Sequence, residues 1–434
     1  MSRRIFGRRE GSTVVSQTEP SMQQRCRSRR VRKTPFSEGK PQPKIDHEEF
    51  LEIADTWGYS EKTIQEIRAV IEQEDIGSGP FLARYKPNSK VAQMEAEARE
   101  RFGVTHVHAV SSGTAALHSA YIAADIGAGD EVIVPGYTFA ATAMPVVVAG
   151  GIPVWCEINE SMTLDPSDLV NRITPRTKAI APVHMNGYVC DMDAIMEIAE
   201  RHGLLVVEDC AQSCGASFRE QRVGTIGHLG CFSISSYKTT GGSEGGLVMT
   251  NDDDLFTRVQ QWAEAGGLWR PDRFGPSRWP GELFCGLNYR MSELEGSVDL
   301  IQMRKMDAQL DRWRANKRRI IEALPAYQEL TPQVIHDVDG EMGHTIGFFA
   351  DSGAESARAV SALTDVGISA GTRGTSARPD WHYFQHTEPI REKMPATSHG
   401  TPWHTPEAAA VDYSLHTCPK TVDLTNRHAH LTVS

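Results

Sequence analysis

From residue 46 onward the apolar positions follow two rhythms, one helical and one extended. Asp46 followed by His-Glu-Glu-Phe-Leu offers an N-cap and an acidic first turn. Ser60 repeats that signal before Ile64, Ile67, Val70 and Ile71, which fall on one helical face. After a Gly-Ser-Gly-Pro turn, residues 90–102 read as an amphipathic helix closed by Gly103. The rhythm then alternates. Short apolar strands are expected over 106–110, 131–135, 153–158, 179–184 and 204–208, and helices over 113–124, 140–148, 167–173 and 191–202. Phe232, Ser233, Ile234 and Ser235 alternate as a further strand, and Leu247, Val248 and Met249 form another. This order predicts an α/β fold with a mainly parallel central sheet covered by helices on both faces. In such sheets ligands bind beyond the carboxyl ends of the strands.

Between those last two strands lies Lys238, in a loop of Thr239, Thr240, Gly241, Gly242, Ser243, Glu244, Gly245 and Gly246. Two readings are open on these residues alone. One is a solvated lysine in a glycine-rich hairpin; the other is an amine that loses water, drops its pKa and attacks a carbonyl. Three further groups fall at expected strand ends. Ser111-Ser112-Gly113-Thr114 turns a strand into a helix, and either caps that helix or cradles a phosphate. Asp209 follows Leu-Leu-Val-Val-Glu, as a cap or as a buried partner for a cation. Phe139 follows Pro-Gly-Tyr-Thr, as core or as a cover for a flat ring. Taken together, an imine-forming lysine, a carboxylate for a ring nitrogen, a phosphate cradle and an aromatic lid describe a pyridoxal 5′-phosphate (PLP) pocket.

Composition narrows the field. A chain of 434 residues, 40% hydrophobic and 23% charged, suits a large globular unit with a smaller companion. Its formal net charge of −11 argues against a nucleic-acid partner or an anionic membrane surface for the folded body. Residues 1–45 stand apart: the first 44 hold twelve Arg or Lys against three Glu and no periodic apolar face, so a disordered basic extension is expected. The eight cysteines form no C-x-x-C pair and several sit in apolar runs, which suits buried thiols and a reducing, cytoplasmic setting. Cys210 and Cys214 lack partners at zinc-site spacing, so no metal is expected. The most apolar window, 139–155, is broken by Pro145, Gly150, Gly151 and Pro153, and no membrane span or signal peptide is expected.

The motifs SSGTAAL (111–117), GDEVIVPGYTFAAT (129–142), ITPRTKAIAPVHMNG (173–187), DMDAIMEIAERHGLLVVEDCAQSCGA (191–216), VGTIGHLGCFSISSYKTTGGSEGG (223–246) and GLNYRMSELEGSVDLIQM (286–303) stand in one order and spacing. In these the chain resembles the DegT/StrS-type sugar and cyclitol aminotransferases, a branch of the fold-type I (aspartate aminotransferase-like) PLP enzymes. The resemblance implies a homodimer with shared active sites. It also implies a large PLP-binding domain over 46–310 and a smaller C-terminal α+β domain over 311–434. It implies that Lys238 binds the cofactor aldehyde as a Schiff base and that Asp209 pairs with the pyridine nitrogen. Gln212 would lie against the ring's phenolic oxygen, and Phe139 would stack on the ring. Gly113, Thr114 and Ser233 would bind the phosphate. Asn288 would reach that phosphate from the other subunit. Arg290 would stand near as a candidate for the donor carboxylate, or hold an interface ion pair. His184 matches a family position before Asp209, as a packing residue or a substrate contact. The implied reaction moves an amino group from glutamate or glutamine to a nucleotide-linked keto-sugar or a keto-cyclitol, as in antibiotic and amino-sugar biosynthesis. Lysine at 238 separates the chain from relatives that carry histidine there and act as dehydratases. A PLP-dependent lyase similar to aminohydroxybenzoate synthase and a non-catalytic regulator are the alternatives. The resemblance fades after about residue 340, leaving only the run from Cys418 to Arg427.

Overall fold

The computed structural model describes residues 43–84, 88–267, 270, 272–325, 329–373 and 380–434. Apart from its last three positions, the expected basic extension lies outside the described residues. The chain divides into two compact units, Met1–Phe81 and Leu82–Ser434. In the first, Asp46 and Glu49 form a capping box that starts helix α1 (His47–Asp55), and Ser60 caps α2 (Glu61–Ile71). Arg68 of α2 joins Glu48 of α1 at 2.9 Å.

The second unit carries the expected alternation. It begins with α3 (Lys90–Phe102), β1 (His106–Val110), α4 (Gly113–Ala123), β2 (Glu131–Pro135), α5 (Met144–Val148), β3 (Ile152–Cys156), α6 (Pro166–Arg172) and β4 (Thr177–Ile180). Next come α7 (Met192–His202), β5 (Leu205–Asp209), the small hairpin β6 (Ser217–Phe218) and β7 (Gln221–Arg222), β8 (Leu229–Ser233) and β9 (Gly246–Thr250). Two helices come after these, α8 (Asp253–Ala263) and the long α9 (Glu293–Ala323). The main sheet has seven strands in the order β1-β9-β8-β5-β4-β2-β3. Only β9 runs antiparallel to its neighbours.

Both faces of this sheet are buried, so its strands read as continuous apolar runs. Ile133, Val206, Phe232, Leu247 and Met249 face one core with Met94 of α3, Ile195 of α7 and Met303 of α9. Their chain neighbours Val132, Val134, Val207, Cys231 and Val248 face the other, with Ala116 of α4, Val146 of α5 and Val259 of α8. Each strand thus feeds two cores through the period-two alternation of its side chains.

Two expected elements differ, each because of a proline. The helix over 140–148 is a 3₁₀ turn, Ala140–Thr142, followed by α5. Pro145 lacks an N–H and is accepted only in a first helical turn, where it sits. The strand over 179–184 ends at Ile180, two residues before Pro182. Its backbone still follows β5: the Asp209 N–H donates to the Pro182 carbonyl (2.9 Å) and the His184 N–H to the Asp209 carbonyl (3.1 Å).

After α9 the chain builds β10 (Thr331–Pro332), β11 (Thr345–Phe349), α10 (Gly353–Asp365), β12 (Ala370–Thr372), α11 (Glu388–Arg391), α12 (Pro406–Ala410), α13 (Pro419–Arg427) and β13 (His428–Thr432). These strands form a second, antiparallel sheet in the order β10-β11-β13-β12. Residue 310, the expected domain border, falls inside α9, and both sheets belong to the unit Leu82–Ser434. Among the described residues no helix is long and apolar enough to cross a membrane. The seven described cysteines are unpaired thiols, six of them buried.

Candidate active site

Because β1, β2, β4, β5 and β8 all point one way, the loops that leave their carboxyl ends gather at one edge of the sheet. There a cavity of about 520 Å³ is lined by Gly113, Thr114, Phe139, Asp209, Gln212, Ser233 and Lys238, with His344 and His382 from the C-terminal part. Seven of the ten expected site residues therefore share one chamber, of a size usual for small-molecule sites.

Lys238 sits in the hairpin between β8 and β9, its backbone N–H bonded to the Ser235 carbonyl at 2.8 Å. The Ile234 N–H reaches the Gly245 carbonyl (3.0 Å) and the Ser236 N–H the Ser243 carbonyl (2.8 Å), so the loop is closed on itself. Burial pushes the Lys238 amine below its ordinary pKa, while the charge of Asp209 pulls the other way. The first effect is the larger, which favours the neutral, nucleophilic form.

Asp209 ends β5 and is only 4% exposed. Its Oδ2 accepts the Thr142 hydroxyl (2.7 Å) and its Oδ1 the Ala211 N–H (3.0 Å). Burial still raises its pKa, against those two hydrogen bonds and the charge of Lys238. Lys238 and His184 act on it only through their charge, and no ion pair is formed with it among the described residues, so this buried carboxylate is fitted to a cation arriving from the cavity. A protonated ring nitrogen is such a cation.

The phosphate end is equally well furnished. Ser112 caps α4 through the Ala115 N–H (3.0 Å), which leaves the Gly113 and Thr114 amides at the cavity wall. A Cβ on Gly113 would stand 2.6 Å from the Ser233 Cβ, so only glycine lets α4 begin this close to the end of β8. Gln212 is held by the Asn186 N–H, which donates to its Oε1 at 2.9 Å and leaves the amide nitrogen to donate elsewhere. Phe139 is 40% exposed and its ring centroid lies 5.1 Å from that of His382. The donor set, the buried carboxylate and the cradle together fit PLP.

The other three residues lie outside the cavity lining. His184 is fully buried; its Nδ1 accepts the Cys190 N–H (3.2 Å) and its Nε2 stands 3.1 Å from Glu208. Both ring nitrogens are thus engaged by protein groups, and the side chain stands outside the cavity lining. His184, Glu208 and Cys210 are close enough to hold a metal ion. Glu208, however, already accepts three backbone N–H groups, from Gly224 (2.7 Å), Ile226 (2.8 Å) and Gly227 (2.5 Å). Arg290 lies 3.6 Å from Glu264, which Arg84 (3.3 Å) and His108 (3.5 Å) also approach. Asn288 is exposed, its Oδ1 accepting the Arg290 N–H at 3.2 Å.

The profile of the DegT/DnrJ/EryC1/StrS aminotransferase family matches residues 60–428. The chain belongs to this family. The match extends well beyond residue 340, where the motifs thin out. Two curated relatives are similar over shorter stretches. GDP-perosamine synthase of Caulobacter vibrioides is 40% identical over 221 residues, 51% of this chain and 58% of that one. L-glutamine:2-deoxy-scyllo-inosose aminotransferase of Micromonospora echinospora is 38% identical over 263 residues, 59% of this chain and 61% of that one. The matched region thus spans about three fifths of each relative's length. Among solved structures, DesV of S. venezuelae in complex with a ketimine intermediate is similar with a TM-score of 0.65 and 27% identity, covering 91% of this chain and 94% of that one. The fold is that of the PLP-dependent aminotransferases.

Motif reading alone does not mark Thr142, Asn186, His344 and His382. Thr142 closes the motif GDEVIVPGYTFAAT, and a hydroxyl placed after a ring-covering phenylalanine was the available signal. No local signal marks His382, whose place on the cavity wall depends on the backbone ladder between 137–140 and 381–383.

Proposed function

We propose that this protein is a PLP-dependent aminotransferase that moves an amino group from glutamate or glutamine to a keto-sugar or keto-cyclitol. It would work as a homodimer in the cytoplasm, with the second sheet serving as the smaller domain. The observation that supports this most strongly is a single cavity lined by both Lys238 and Asp209 and by donors for a phosphate. Family membership and the activities that name the two curated relatives support the substrate class.

When bound, PLP supplies an aldehyde for the amine exchange and a protonated ring that withdraws electrons from the reacting carbon. The Gly113 and Thr114 amides and the Ser233 hydroxyl bind its phosphate. The Asp209 carboxylate holds the proton on the ring nitrogen, and Thr142 keeps that carboxylate aimed. Gln212 donates its amide N–H to the ring oxygen, and Phe139 covers the ring face and excludes water. With the cofactor bound, the Lys238 Nζ would move the proton off the donor's α-carbon in the first half-reaction and, in the second, would deliver a proton to the acceptor carbon. Asn288 of a second copy completes the phosphate site.

Purified protein should carry visible absorption that bleaches with glutamate or glutamine and returns with the matching 2-oxo acid. Colour that no amino donor bleaches would favour a lyase, and absence of colour a regulator. Lys238→Ala should lower turnover by about 10⁴-fold or more while keeping the fold, as judged by circular dichroism.

A further inference from the structure

His382 reaches the cavity from the C-terminal part of the chain and is held there by several contacts. The Thr138 N–H donates to the His382 carbonyl (3.0 Å) and the Ala140 N–H to the Trp381 carbonyl (2.7 Å), which locks 381–383 beside the segment carrying Phe139. Asp380 Oδ1 accepts both the His382 backbone N–H (2.9 Å) and the ring Nδ1 (2.7 Å). A carboxylate only accepts, so Nδ1 carries the proton and Nε2 keeps a lone pair. Asp380 is in turn paired with Arg373, whose Nε donates to the Tyr137 hydroxyl at 2.8 Å. That hydroxyl also accepts from Asn186 (3.2 Å), the residue that orients Gln212. One polar network therefore runs from Gln212 at the ring oxygen to His382 on the cavity wall.

The Nε2 of His382 has no partner among the described residues, although its ring lines the cavity beside Phe139. We propose that His382 Nε2 accepts a hydrogen bond from a hydroxyl of the amino acceptor, with Asp380 as the positioning residue that fixes the ring's tautomer. Burial and the charge of Arg373 hold the imidazole below its ordinary pKa, against the hydrogen bond and charge of Asp380, which keeps it neutral near pH 7. A neutral imidazole with a fixed lone pair selects a hydroxyl over a bare methylene, because the methylene leaves the nitrogen desolvated and unpaired. The acceptors favoured are thus polyhydroxylated ketones. This assignment rests on the aminotransfer reading above.

The two half-reactions separate the possibilities. With glutamine as donor, and scyllo-inosose and its monodeoxy analogues as acceptors, the parent enzyme should lose about ten- to a hundredfold in second-half kcat/KM for one analogue. His382→Leu should lose a similar factor with scyllo-inosose and nothing further with that analogue, the non-additivity expected of a direct contact. Its loss in the second half-reaction should exceed any loss in the first by about tenfold. His382→Gln, which restores an acceptor oxygen, should recover part of the loss as a lower acceptor KM. Asp380→Asn should raise the acceptor KM more than it lowers kcat. Equal losses in both half-reactions, or additive losses across all analogues, would overturn the assignment to His382 and leave aminotransfer standing. No first half-reaction in the parent, or no turnover of any keto-cyclitol or keto-sugar, would overturn both.

Discussion

At the scale of single residues, two ionisable groups depart from their ordinary behaviour in opposite senses for one reason. Burial lowers the pKa of Lys238 and raises that of Asp209, because it disfavours the charged form of each. What keeps Asp209 usable as an anion is a small set of donors, and the Thr142 hydroxyl at 2.7 Å is the one supplied by a side chain. The hydroxyl is itself placed by Thr138 (2.6 Å), while Tyr121 bonds the Thr142 carbonyl (2.8 Å). Thr142→Val keeps the shape and removes the donor. A hydrogen bond to a charged group contributes about 1.5–3 kcal/mol, so the dissociation constant for PLP should rise about ten- to a hundredfold. Equilibrium titration of the apoprotein by fluorescence measures this, and a change under about twofold would show that Thr142 only fills space. Lys238 and Asp209 were legible as candidates because each stands where an apolar strand ends. Thr142 was not, since its partner lies 67 residues away.

At the scale of elements, the loop after Lys238 is shaped by the helix it lies against. A Cβ on Gly242 would stand 2.3 Å from the Val298 Cγ1, and one on Gly245 would stand 3.0 Å from Asp299 Oδ2, so α9 presses directly on the loop backbone. Asp299 accepts the Gly242 N–H at 3.1 Å, and its other oxygen is buried without a partner among the described residues. Burial above all, with the charges of Glu295 on α9 and Glu244 on the loop, raises its pKa to about 7 against the Gly242 hydrogen bond. Folded, Asp299 holds its proton to about pH 7; unfolded, it releases it near pH 4. The folded state is therefore favoured most below about pH 4 and loses that advantage as pH climbs to about 7, by at most about 1.4 kcal/mol per pH unit. Asp299→Asn cannot ionise, so it should resist urea better than the parent at pH 8, with the difference shrinking towards pH 5. Matching urea midpoints at both pH values would rule this out. The alternation of strands and helices was readable because both faces of the sheet are apolar. What it could not reveal were the proline interruptions at 145 and 182 and the contact between α9 and the loop, which depend on distant segments meeting.

At the scale of the whole molecule, one expected site residue stands apart from the rest. Gly113, Thr114, Phe139, Asp209, Gln212, Ser233 and Lys238 meet in one cavity, whereas Asn288 is exposed and lies outside its lining. If Asn288 serves the phosphate of a second copy, each site in a two-fold dimer combines Lys238 of one chain with Asn288 of the other. That arrangement makes an unusual prediction for mixed dimers. Lys238→Ala alone removes the amine, and Asn288→Asp alone sets a carboxylate against the phosphate, so each homodimer should be nearly inactive. In a mixed dimer both changes fall in the same site, and the other site is entirely native. Random reassortment makes about half the dimers mixed, each with one native site of two, so about a quarter of the parent activity should return. Mixing the two purified variants under mild dissociating conditions, then assaying glutamine-dependent turnover, measures the return. Activity that stays at the level of the separate variants would mean that Asn288 acts within its own chain or not at all.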